Sequence, residues 1–529
     1  MTKTIKTTQT LYLADNLNLM KDYITQGKKE TVDLIYIDPP FNSKRNYNIV
    51  FNTESNATEQ AFTDIWSNVS YLDELEEINT INPNLYSFLK NLESTGLQKS
   101  MLSYLTAMGI RLYYMRLLLK DTGSIYYHCD PTASHYIKIV MDYVFGHKNF
   151  KSEITWQRTL AKSNGKIYPS NTDVILFYTK TDVFNFNPQY KSLSAGGNKA
   201  YNKTDSKGRK YQLLPVSAPN SKIMTLDYKG KTYKATSRGF RWTQESFDAK
   251  CKEFYKEWGE EFITVSKNDT FRYKKYLKTS NGVLLDNLWT FKDVPNIEGT
   301  STERLGYPTQ KPEALLERII KASSNPSDLV MDFYNGGGTT GAVCKKLDRN
   351  YLGCDINYRA IQITKNRLEA LNSKLKKDLI IYGIPASATE LKKMVKENIL
   401  GTNKNSRFDL EEVTTRYYLN DVVGNDIKVN DNSIDGTFGF EYEGKKLKGL
   451  VQVTSGSNKN HLKAFCSEIG KGTGDLGVYI CFKDDVTSGF IQEVKSYGKI
   501  GNVDKIQILT FEDLIDNNKQ YDLPTNKTN

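Results

Sequence analysis

Two short apolar segments, each containing an aspartate at or near its end and running into a tight turn, constrain the fold of this 529-residue chain most strongly. Residues 31–38 (TVDLIYID) lead into Pro39, and residues 329–334 (LVMDFY) lead into a glycine-rich loop. Continuous apolar runs bounded by turn residues are typical of strands buried on both faces of a parallel sheet. Amphipathic helical patterns follow such runs, so we expect an α/β fold with a doubly wound, Rossmann-like sheet.

The pattern divides the chain into five segments. Residues 1–150 and 301–375 both alternate strand and helix patterns, which predicts two halves of one α/β domain. The segment 151–300 between them is irregular and rich in Gly, Ser, Asn and Lys, which predicts a loop-rich insertion. A charged stretch at 376–404 predicts a linker, and strand patterns return in a C-terminal domain at 405–529.

The formal net charge of +11 is concentrated in the insertion. Residues 151–300 contain 26 Lys and Arg against 15 Asp and Glu, and 191–241 contain 12 against 2. Aromatic residues lie among these charges: Tyr201, Tyr211, Tyr228, Tyr233, Phe240 and Trp242. Such a composition is typical of a surface that follows phosphates and contacts bases, although a solvated lysine-rich insertion has the same composition. The candidate nucleic-acid contacts are Lys203, Lys207, Arg209, Lys210, Arg238 and Arg241.

The first candidate site is the DPPFN sequence at 38–42, directly after a predicted strand. Ligands bind at the carboxyl ends of strands in open α/β sheets, and two prolines would hold the Asp38 carboxylate and the Phe41 ring at fixed positions. A carboxylate, a free backbone carbonyl and a ring face suit an exocyclic amine on a flat heterocycle. An ordinary proline-stiffened turn capped by Asp38 is the alternative.

The second candidate site is the DFYNGGGTTG sequence at 332–341, which leads from a strand into a helix. Its glycines let the backbone approach a ligand closely, and Asp355 ends the next strand, where an acid would bind ribose hydroxyls. Gly336, Gly338 and Gly341 match the dinucleotide fingerprint, so an NAD site is one interpretation. No Gly-Lys-Ser/Thr follows, which disfavours a nucleoside-triphosphate loop.

Together with residues 307–312 (YPTQKP), these two motifs resemble the signature of the amino-methyltransferases that modify adenine N6 or cytosine N4 in DNA. The order, with DPPF first, the basic segment second and the glycine loop last, resembles the β class, which includes the Mod subunits of type III restriction systems. The resemblance covers about residues 10–375. It implies a permuted order of motifs, S-adenosyl-L-methionine as cofactor and double-stranded DNA as substrate.

The resemblance also implies roles for individual residues. Asp38 and the Pro39 carbonyl would accept hydrogen bonds from the target amine, Pro40 would stiffen the turn, and Phe41 would stack on the flipped-out base. The amine lone pair could then attack the sulfonium methyl in line. The implied cofactor residues are Asp15, Gln310, Lys311, Asp332, Tyr334, Asn335, Gly336, Gly338, Thr339, Asp355 and Asn357. Tyr334 stands where the family more often has Phe.

The C-terminal domain more faintly resembles the restriction-endonuclease core in its Mrr-like form. Asp435 of an IDG sequence and Gln452 of a VQV sequence match two positions of that core, which binds Mg²⁺ and activates water. Thr454 stands where the core has a lysine, and threonine supplies no positive charge. We therefore expect a nuclease-like fold retained for DNA contact or dimerisation; an active nuclease and an unrelated domain are the alternatives.

The function that these features favour is site-specific DNA adenine-N6 methylation. In the family that the chain resembles, four-residue motifs of the DPPF type that begin with Asp more often accompany adenine as the target base. Cytosine-N4 methylation and a Mod subunit that needs a restriction partner are the nearest alternatives. A catalytically silent DNA-binding protein and an NAD-linked oxidoreductase are alternatives from other classes. A homodimer is plausible by analogy with the β class.

The sequence contains little evidence for a metal site or for a membrane-spanning segment. His128, Cys129, Asp130 and His135 lack a partner cluster, the six cysteines form no CxxC pair, and methyl transfer by this route needs no metal. No apolar run approaches the roughly 18 residues that span a bilayer, and no apolar segment follows the N-terminal lysines. We therefore expect a cytoplasmic protein without a metal or a membrane segment.

Overall fold

The computed structural model describes residues 7–40, 46–50, 58–63, 71–160, 166–191, 199–235, 238–266, 271–277, 282–371, 379–401, 406–425, 434–456 and 459–525. The chain forms two compact units. The first comprises Met1–Asn187 and Asn287–Asn529, and the second is Pro188–Asp286. The second unit is therefore shorter than the insertion expected at 151–300.

The helices and strands up to residue 187 are β1 (Gln9–Leu13), α1 (Asn16–Thr25), β2 (Val32–Ile37), β3 (Asn46–Val50), β4 (Thr58–Thr63), α2 (Leu72–Ile81), α3 (Pro83–Ser94), α4 (Lys99–Leu118), β5 (Leu119–Cys129), α5 (Ser134–Phe145), β6 (Phe150–Gln157) and β7 (Thr172–Thr179). A single 3-10 turn, His147–Asn149, precedes β6.

The elements of the second unit are β8 (Tyr190–Lys191), β9 (Lys203–Thr204), β10 (Lys210–Pro215), β11 (Thr225–Tyr228), β12 (Lys231–Lys234), α6 (Gln244–Trp258), β13 (Ile263–Val265), β14 (Phe271–Tyr276) and β15 (Val283–Leu284). The first unit then continues with β16 (Leu288–Trp289), α7 (Glu313–Ser323), β17 (Leu329–Asp332), α8 (Thr339–Lys346), β18 (Asn350–Asp355), α9 (Tyr358–Leu371), β19 (Leu379–Tyr382) and α10 (Ala388–Lys396).

The C-terminal elements are α11 (Ser406–Val413), a π turn (Thr414–Tyr418), β20 (Val423–Gly424), β21 (Gly436–Tyr442), β22 (Lys445–Val453), α12 (Lys459–Gly470), β23 (Leu476–Cys481), a 3-10 turn (Lys483–Asp485), α13 (Ser488–Lys495), β24 (Lys499–Ile500), β25 (Val503–Asp504), β26 (Ile506–Thr510) and a second π turn (Glu512–Asp516). No described helix is both long enough and apolar enough to cross a bilayer.

A nine-stranded sheet with the order β16-β6-β7-β5-β2-β17-β18-β1-β19 organises the first unit. Its described pairings are parallel except for those of β7 with β5 and β6. Alternate residues of β2 enter different cores: Leu34 and Tyr36 pack with α7, whereas Ile35 and Ile37 pack with α4. Apolar cores on both faces explain why the strand sequences read as continuous apolar runs. The expectation of an α/β sheet is confirmed.

The structure differs from the expected segment boundaries at two places. β6 and β7 belong to the central sheet, because their apolar residues extend its core beyond β5. β19, within the expected linker 376–404, pairs in parallel with β1. Its alternating half-buried pattern is that of an edge strand, so the short LIIY run among lysines gave little signal.

The C-terminal region forms a five-stranded mixed sheet, in the order β20-β21-β22-β23-β26, that shares a core with the central sheet. One continuous apolar cluster contains Ile361 of α9 together with Val413, Leu419 and Val453. A second cluster between this sheet, α12 and α13 contains Phe465 and other buried residues. The region therefore packs as part of the first unit.

Buried hydrogen bonds reinforce this packing. The Arg359 side chain in α9 is 3% exposed, and its guanidinium donates to the backbone oxygens of Thr415 at 3.1 Å and Val422 at 2.6 Å. Gln362, one turn later, donates to the backbone oxygens of Tyr417 at 2.7 Å and Leu419 at 3.1 Å. Two of these carbonyls, of Thr415 and Tyr417, belong to the π turn and two lie just after it, so α9 supplies donors to backbone that has left regular helical geometry.

The second unit has its own small core. A four-stranded antiparallel sheet, β13-β14-β10-β9, packs with α6 around Phe240, Phe247 and Phe271. Tyr228, Tyr233 and Trp242 pack against the same core, and Tyr201 is only 4% exposed. Several aromatic residues that the sequence placed among the basic ones as base contacts are therefore core residues here.

We expect Arg359→Met to destabilise the docking of residues 406–425, because it leaves buried carbonyls without their charged donor. The free energy of opening of this segment should fall by about 3 kcal/mol, measured as faster amide hydrogen exchange. Asn366→Ala, at an exposed position of the same helix, is the matched control. Equal protection in both variants would show that Arg359 does not hold the segment.

Candidate active site

Four aspartates lie at one edge of the central sheet because the strands that carry them are parallel neighbours. Asp38 follows β2, Asp332 ends β17, Asp355 ends β18, and Asp15 lies just after β1. The strand order β2-β17-β18-β1 sets these ends side by side. All four aspartates line one cavity of about 460 Å³.

Most of the site residues predicted from the sequence line this cavity. Those that do are Asp15, Asp38, Pro39, Pro40, Gln310, Lys311, Asp332, Tyr334, Asn335, Gly336, Thr339, Asp355 and Asn357. Gly338 does not line it, and Phe41 lies outside the described residues. The tertiary structure thus brings together two motifs that are almost 300 residues apart in the chain.

Asp38 and Lys311 form an ion pair in the wall of the cavity. The Lys311 Nζ donates to the Asp38 Oδ2 and, at 3.2 Å, to the backbone oxygen of Thr309. The Asp38 Oδ1 is buried and accepts no hydrogen bond from any residue that the structure describes. A buried carboxylate oxygen without a donor is unfavourable, so this oxygen favours a ligand that brings an N–H group.

The turn before Lys311 is held by its own side chains. The Gln310 Oε1 accepts a hydrogen bond from the Leu305 backbone N–H at 2.9 Å, and its Nε2 donates to the Glu303 backbone oxygen at 2.7 Å. Thr309 has φ of 56°, and the Thr339 hydroxyl donates to the Lys311 backbone oxygen at 3.1 Å. The Gln310 side chain therefore holds the turn that precedes Lys311, and the residue also lines the cavity, so its contact with a cofactor stays a prediction.

The glycine loop needs its glycines for two different reasons. Gly336 has φ of 50° and its backbone lies under the Tyr307 ring, where a Cβ would stand 3.1 Å from a ring carbon. Gly338 has φ of 70°, and a Cβ there would stand 2.5 Å from the Thr364 side chain. Gly338 is therefore required for the packing of α8 on α9, and Gly336 shapes the cavity wall.

Burial dominates the electrostatics of the two acids beside this loop. It raises the pKa of Asp332 to about 7, with a further rise from Asp38 and Asp355, although hydrogen bonds from the Thr340 hydroxyl at 2.6 Å and the Tyr334 N–H at 3.0 Å oppose it. Burial also raises the pKa of Asp355, which accepts from the backbone N–H groups of Gly336 at 2.8 Å and Asn357 at 2.9 Å.

Arg111 of α4 is a cavity residue that the sequence analysis missed. Its guanidinium donates to the Asn16 Oδ1 at 2.8 Å and the Glu74 Oε1 at 2.9 Å, and it lies 3.5 Å from the Asp15 Oδ2. Asp15 itself caps α1 through the Asn18 N–H at 2.9 Å. A lone arginine in the otherwise apolar run AMGIRLYYM was the available signal.

A buried polar network begins at the hydroxyl of Tyr36, a residue of β2 that also lines the cavity. The Tyr36 hydroxyl lies 2.9 Å from the His128 Nδ1, and the His128 Nε2 lies 3.2 Å from the Asp173 Oδ2. Arg158 lies 3.0 Å from the Asp173 Oδ1. Burial raises the pKa of Asp173, but the hydrogen bond from His128 and the nearby cations hold it below its usual value. Among the described residues, no three His, Cys, Asp or Glu side chains are grouped to hold a metal.

The candidate nucleic-acid contacts lie in the second unit and fall into two groups. Lys203, Lys207 and Lys210 are exposed on the β9–β10 hairpin, and Arg238 and Arg241 are also exposed. Arg209 differs from them. Its guanidinium lies 5.2 Å from the Trp258 ring and 5.0 Å from the Tyr276 ring, and its Nε donates to Asp205 at 2.7 Å. Arg209 is therefore a packing residue of this unit.

In the C-terminal region, the side chains of Asp435 and Gln452 are in contact. The Asp435 Oδ2 accepts hydrogen bonds from the Gln452 Nε2 at 2.7 Å and the Val453 N–H at 2.6 Å. The Thr454 hydroxyl interacts with the nearby backbone of Gly456. The carboxylate is thus engaged within its own hairpin.

Comparison with known proteins places this chain among enzymes that act on DNA. The type II methyltransferase M.EcaI of Enterobacter cloacae is 27% identical over 359 residues, which are 67% of this chain and 68% of the relative. The Mod subunit of the type III restriction-modification enzyme StyLTI of Salmonella typhimurium is 26% identical over 66% of this chain and 53% of its own length. The DNA adenine methyltransferase YhdJ of Escherichia coli is 39% identical over 121 residues, 23% of this chain and 36% of the relative.

The chain thus spans about half the length of the StyLTI relative and about a third of YhdJ in these matches. A family model described as DNA methylase matches residues 32–366, well over half of the sequence. That span contains Asp38, Lys311, Asp332 and Asp355 and three of the four strand ends that form the cavity. The chain belongs to the DNA methylase family.

Proposed function

We propose that this chain is a site-specific DNA adenine-N6 methyltransferase of the β class that acts on a flipped-out base in double-stranded DNA. The observation that carries the proposal is that the buried Asp38 Oδ1 accepts no hydrogen bond from the described residues, while Asp38 lines the same cavity as the glycine loop. This oxygen can accept a hydrogen bond from an exocyclic amine. The DPPF motif at 38–41 begins with Asp, and the relative YhdJ is named as an adenine methyltransferase, so adenine is the favoured base.

Methyltransferases of this family use S-adenosyl-L-methionine, and the cavity fits that molecule. Its volume of about 460 Å³ suits a ligand of this size. The glycine loop supplies a wall without Cβ atoms, and the Asp332 and Asp355 carboxylates offer acceptors and negative charge beside it. When bound, the cofactor supplies a methyl group activated by a positively charged sulfur. Asp355 would hold ribose hydroxyls, and Asp15 with Arg111 would border the adenine.

The chain's own residues would act by positioning the target amine. Asp38 would accept an amine N–H at Oδ1, while Lys311 holds Oδ2 and so fixes the plane of the carboxylate. Pro39 and Pro40 stiffen the turn, since proline fixes φ. Asp38 would hold the amine nitrogen toward the methyl group that the cofactor supplies, and it would take up the proton that the amine loses. These residues would accelerate methyl transfer chiefly by orienting the amine.

The second unit would bind the DNA. Its exposed basic residues, above all Lys203, Lys207 and Lys210 on one hairpin, offer a surface complementary to phosphates. The C-terminal region would keep a nuclease-like fold without cleavage, because Thr454 supplies no charge and Asp435 is engaged by Gln452. A homodimer and, by similarity to a Mod subunit, a separate restriction subunit stay predictions, as does a cytoplasmic location.

We expect Asp38→Asn to lower methyl transfer at least about a hundredfold, because the amide no longer offers two acceptor oxygens. The measurement is single-base mapping of modified bases after incubation with S-adenosylmethionine and unmethylated duplex DNA. Asp130→Asn is the matched control, because Asp130 directly follows the neighbouring strand β5 and does not line the cavity. N6-methyladenine at one recurring sequence supports the proposal, and N4-methylcytosine would change the base. Cofactor binding without methylation would indicate a missing subunit.

The pKa of Asp332, raised to about 7 by burial, predicts pH-dependent cofactor binding. Below that pKa the carboxyl is neutral, and a cationic ligand must displace its proton, so affinity should rise with pH up to about 7 and then level off. Calorimetric titration with S-adenosylmethionine across pH 5.5 to 8.5 measures this. Asp332→Asn should flatten the dependence; an unchanged profile would assign the proton to another group.

Replacing Lys203, Lys207 and Lys210 together by Gln should weaken DNA binding and reduce the slope of log K against log salt by about 2 to 3. Arg209→Gln should instead lower the thermal stability of the second unit. The comparison uses fluorescence anisotropy with a duplex at several salt concentrations. An unchanged slope in the triple variant would show that this hairpin does not contact the DNA.

A further inference from the structure

One wall of the cavity comes from the C-terminal region. Glu412 in α11 and Arg416 in the π turn line the same cavity as Ile356 and Asn357, the two residues that follow Asp355. They are half-buried and stand one helical turn apart. The family model ends at residue 366, so both lie outside the part of the chain that it matches.

Buried contacts hold this wall in place. α9 begins three residues after Asp355, and its Arg359 and Gln362 donate to four backbone oxygens between Thr415 and Val422. The Tyr358 hydroxyl lies 3.5 Å from the Asp409 Oδ1. The segment that carries Glu412 and Arg416 is thus fixed to the helix that follows Asp355. Side chains so fixed lose little further freedom when a ligand binds.

The position of Glu412 and Arg416 in the cavity determines which part of a ligand they can contact. Asp355 ends β18 and Asp38 follows β2, and β17 lies between these strands, so the two acids stand about 10 Å apart. Glu412 and Arg416 interact electrostatically with Tyr358, three residues after Asp355, which places them on the β18 side of the cavity. One offers carboxylate oxygens as acceptors and the other guanidinium N–H groups as donors. A purine nucleoside, with its amine, ring nitrogens and hydroxyls, presents groups that match both.

We propose that Glu412 and Arg416 complete the cofactor site at its adenosine end, so that cofactor binding and docking of residues 406–425 are coupled. This inference rests on the proposed function, because it takes S-adenosylmethionine as the ligand of the cavity. The coupling is reciprocal: whatever the docked segment adds to cofactor affinity, the bound cofactor adds to the stability of docking by the same factor. The C-terminal region is then part of the methyl-transfer unit.

The first test measures the dissociation constant of S-adenosylmethionine for the full chain by calorimetry. Glu412→Ala and Arg416→Ala should each weaken binding about tenfold, since each removes a charged hydrogen-bonding partner. Glu411→Ala, the neighbouring acid on the same helix that does not line the cavity, is the matched control and should bind as the wild type does. Glu412→Gln and Arg416→Lys keep most of the packing, so a loss in these variants also supports the proposal if the alanine variants fail to fold.

The second test reads the coupling without any catalysis. Saturating S-adenosylmethionine should slow amide hydrogen exchange in residues 406–425 of the wild-type chain, and this protection should be lost in a Glu412→Ala, Arg416→Ala double variant. Unchanged exchange on saturation, or wild-type affinity in the folded single variants, would overturn the proposal.

A wild-type chain that binds no S-adenosylmethionine would contradict the proposed function itself. A wild-type chain that binds the cofactor, loses binding in Asp355→Ala and keeps it in the Glu412 and Arg416 variants would leave the proposed function intact. That last result would limit the site to the residues around the glycine loop.

Discussion

The parallel pairing of β2, β17, β18 and β1 is the constraint on which the rest of the structure depends. The carboxyl ends of parallel strands lie at the same edge of the sheet, so the pairing alone brings together the acids at these ends. The same pairing demands apolar side chains on both faces, which the cores around Leu34 and Ile35 supply. Stability and the convergence of the four aspartates thus have one cause.

Concentrating acids in a buried cavity has an energetic cost that the structure partly offsets with donors. Lys311 engages one oxygen of Asp38, backbone N–H groups engage Asp355, and Arg111 lies beside Asp15. Asp332 accepts hydrogen bonds at both of its oxygens, yet burial still raises its pKa to about 7. The electrostatic imbalance that remains favours a ligand that carries positive charge and N–H groups.

The C-terminal region is joined to this site more closely than a separate domain would be. Arg359 and Gln362 give their hydrogen bonds to its backbone, and one apolar cluster runs from Ile361 to Val453. A buried arginine is stable only where its donors are satisfied, so α9 requires the segment that covers it. These contacts connect the helix that follows Asp355 to the C-terminal sheet.

The sequence by itself determined the α/β class and the two strand-to-turn motifs, because apolar runs and glycines report local conformation directly. Most of the catalytic and cofactor residues that it predicted, several of them through the family resemblance, line the cavity. Only the tertiary structure decided that Gly338 serves packing, that Arg209 lies between two rings, and that β19 belongs to the central sheet. It also decided that Arg111, Glu412 and Arg416 reach the cavity. These residues come from distant helices and turns, and the contacts that place them depend on how whole elements pack, which no local pattern encodes.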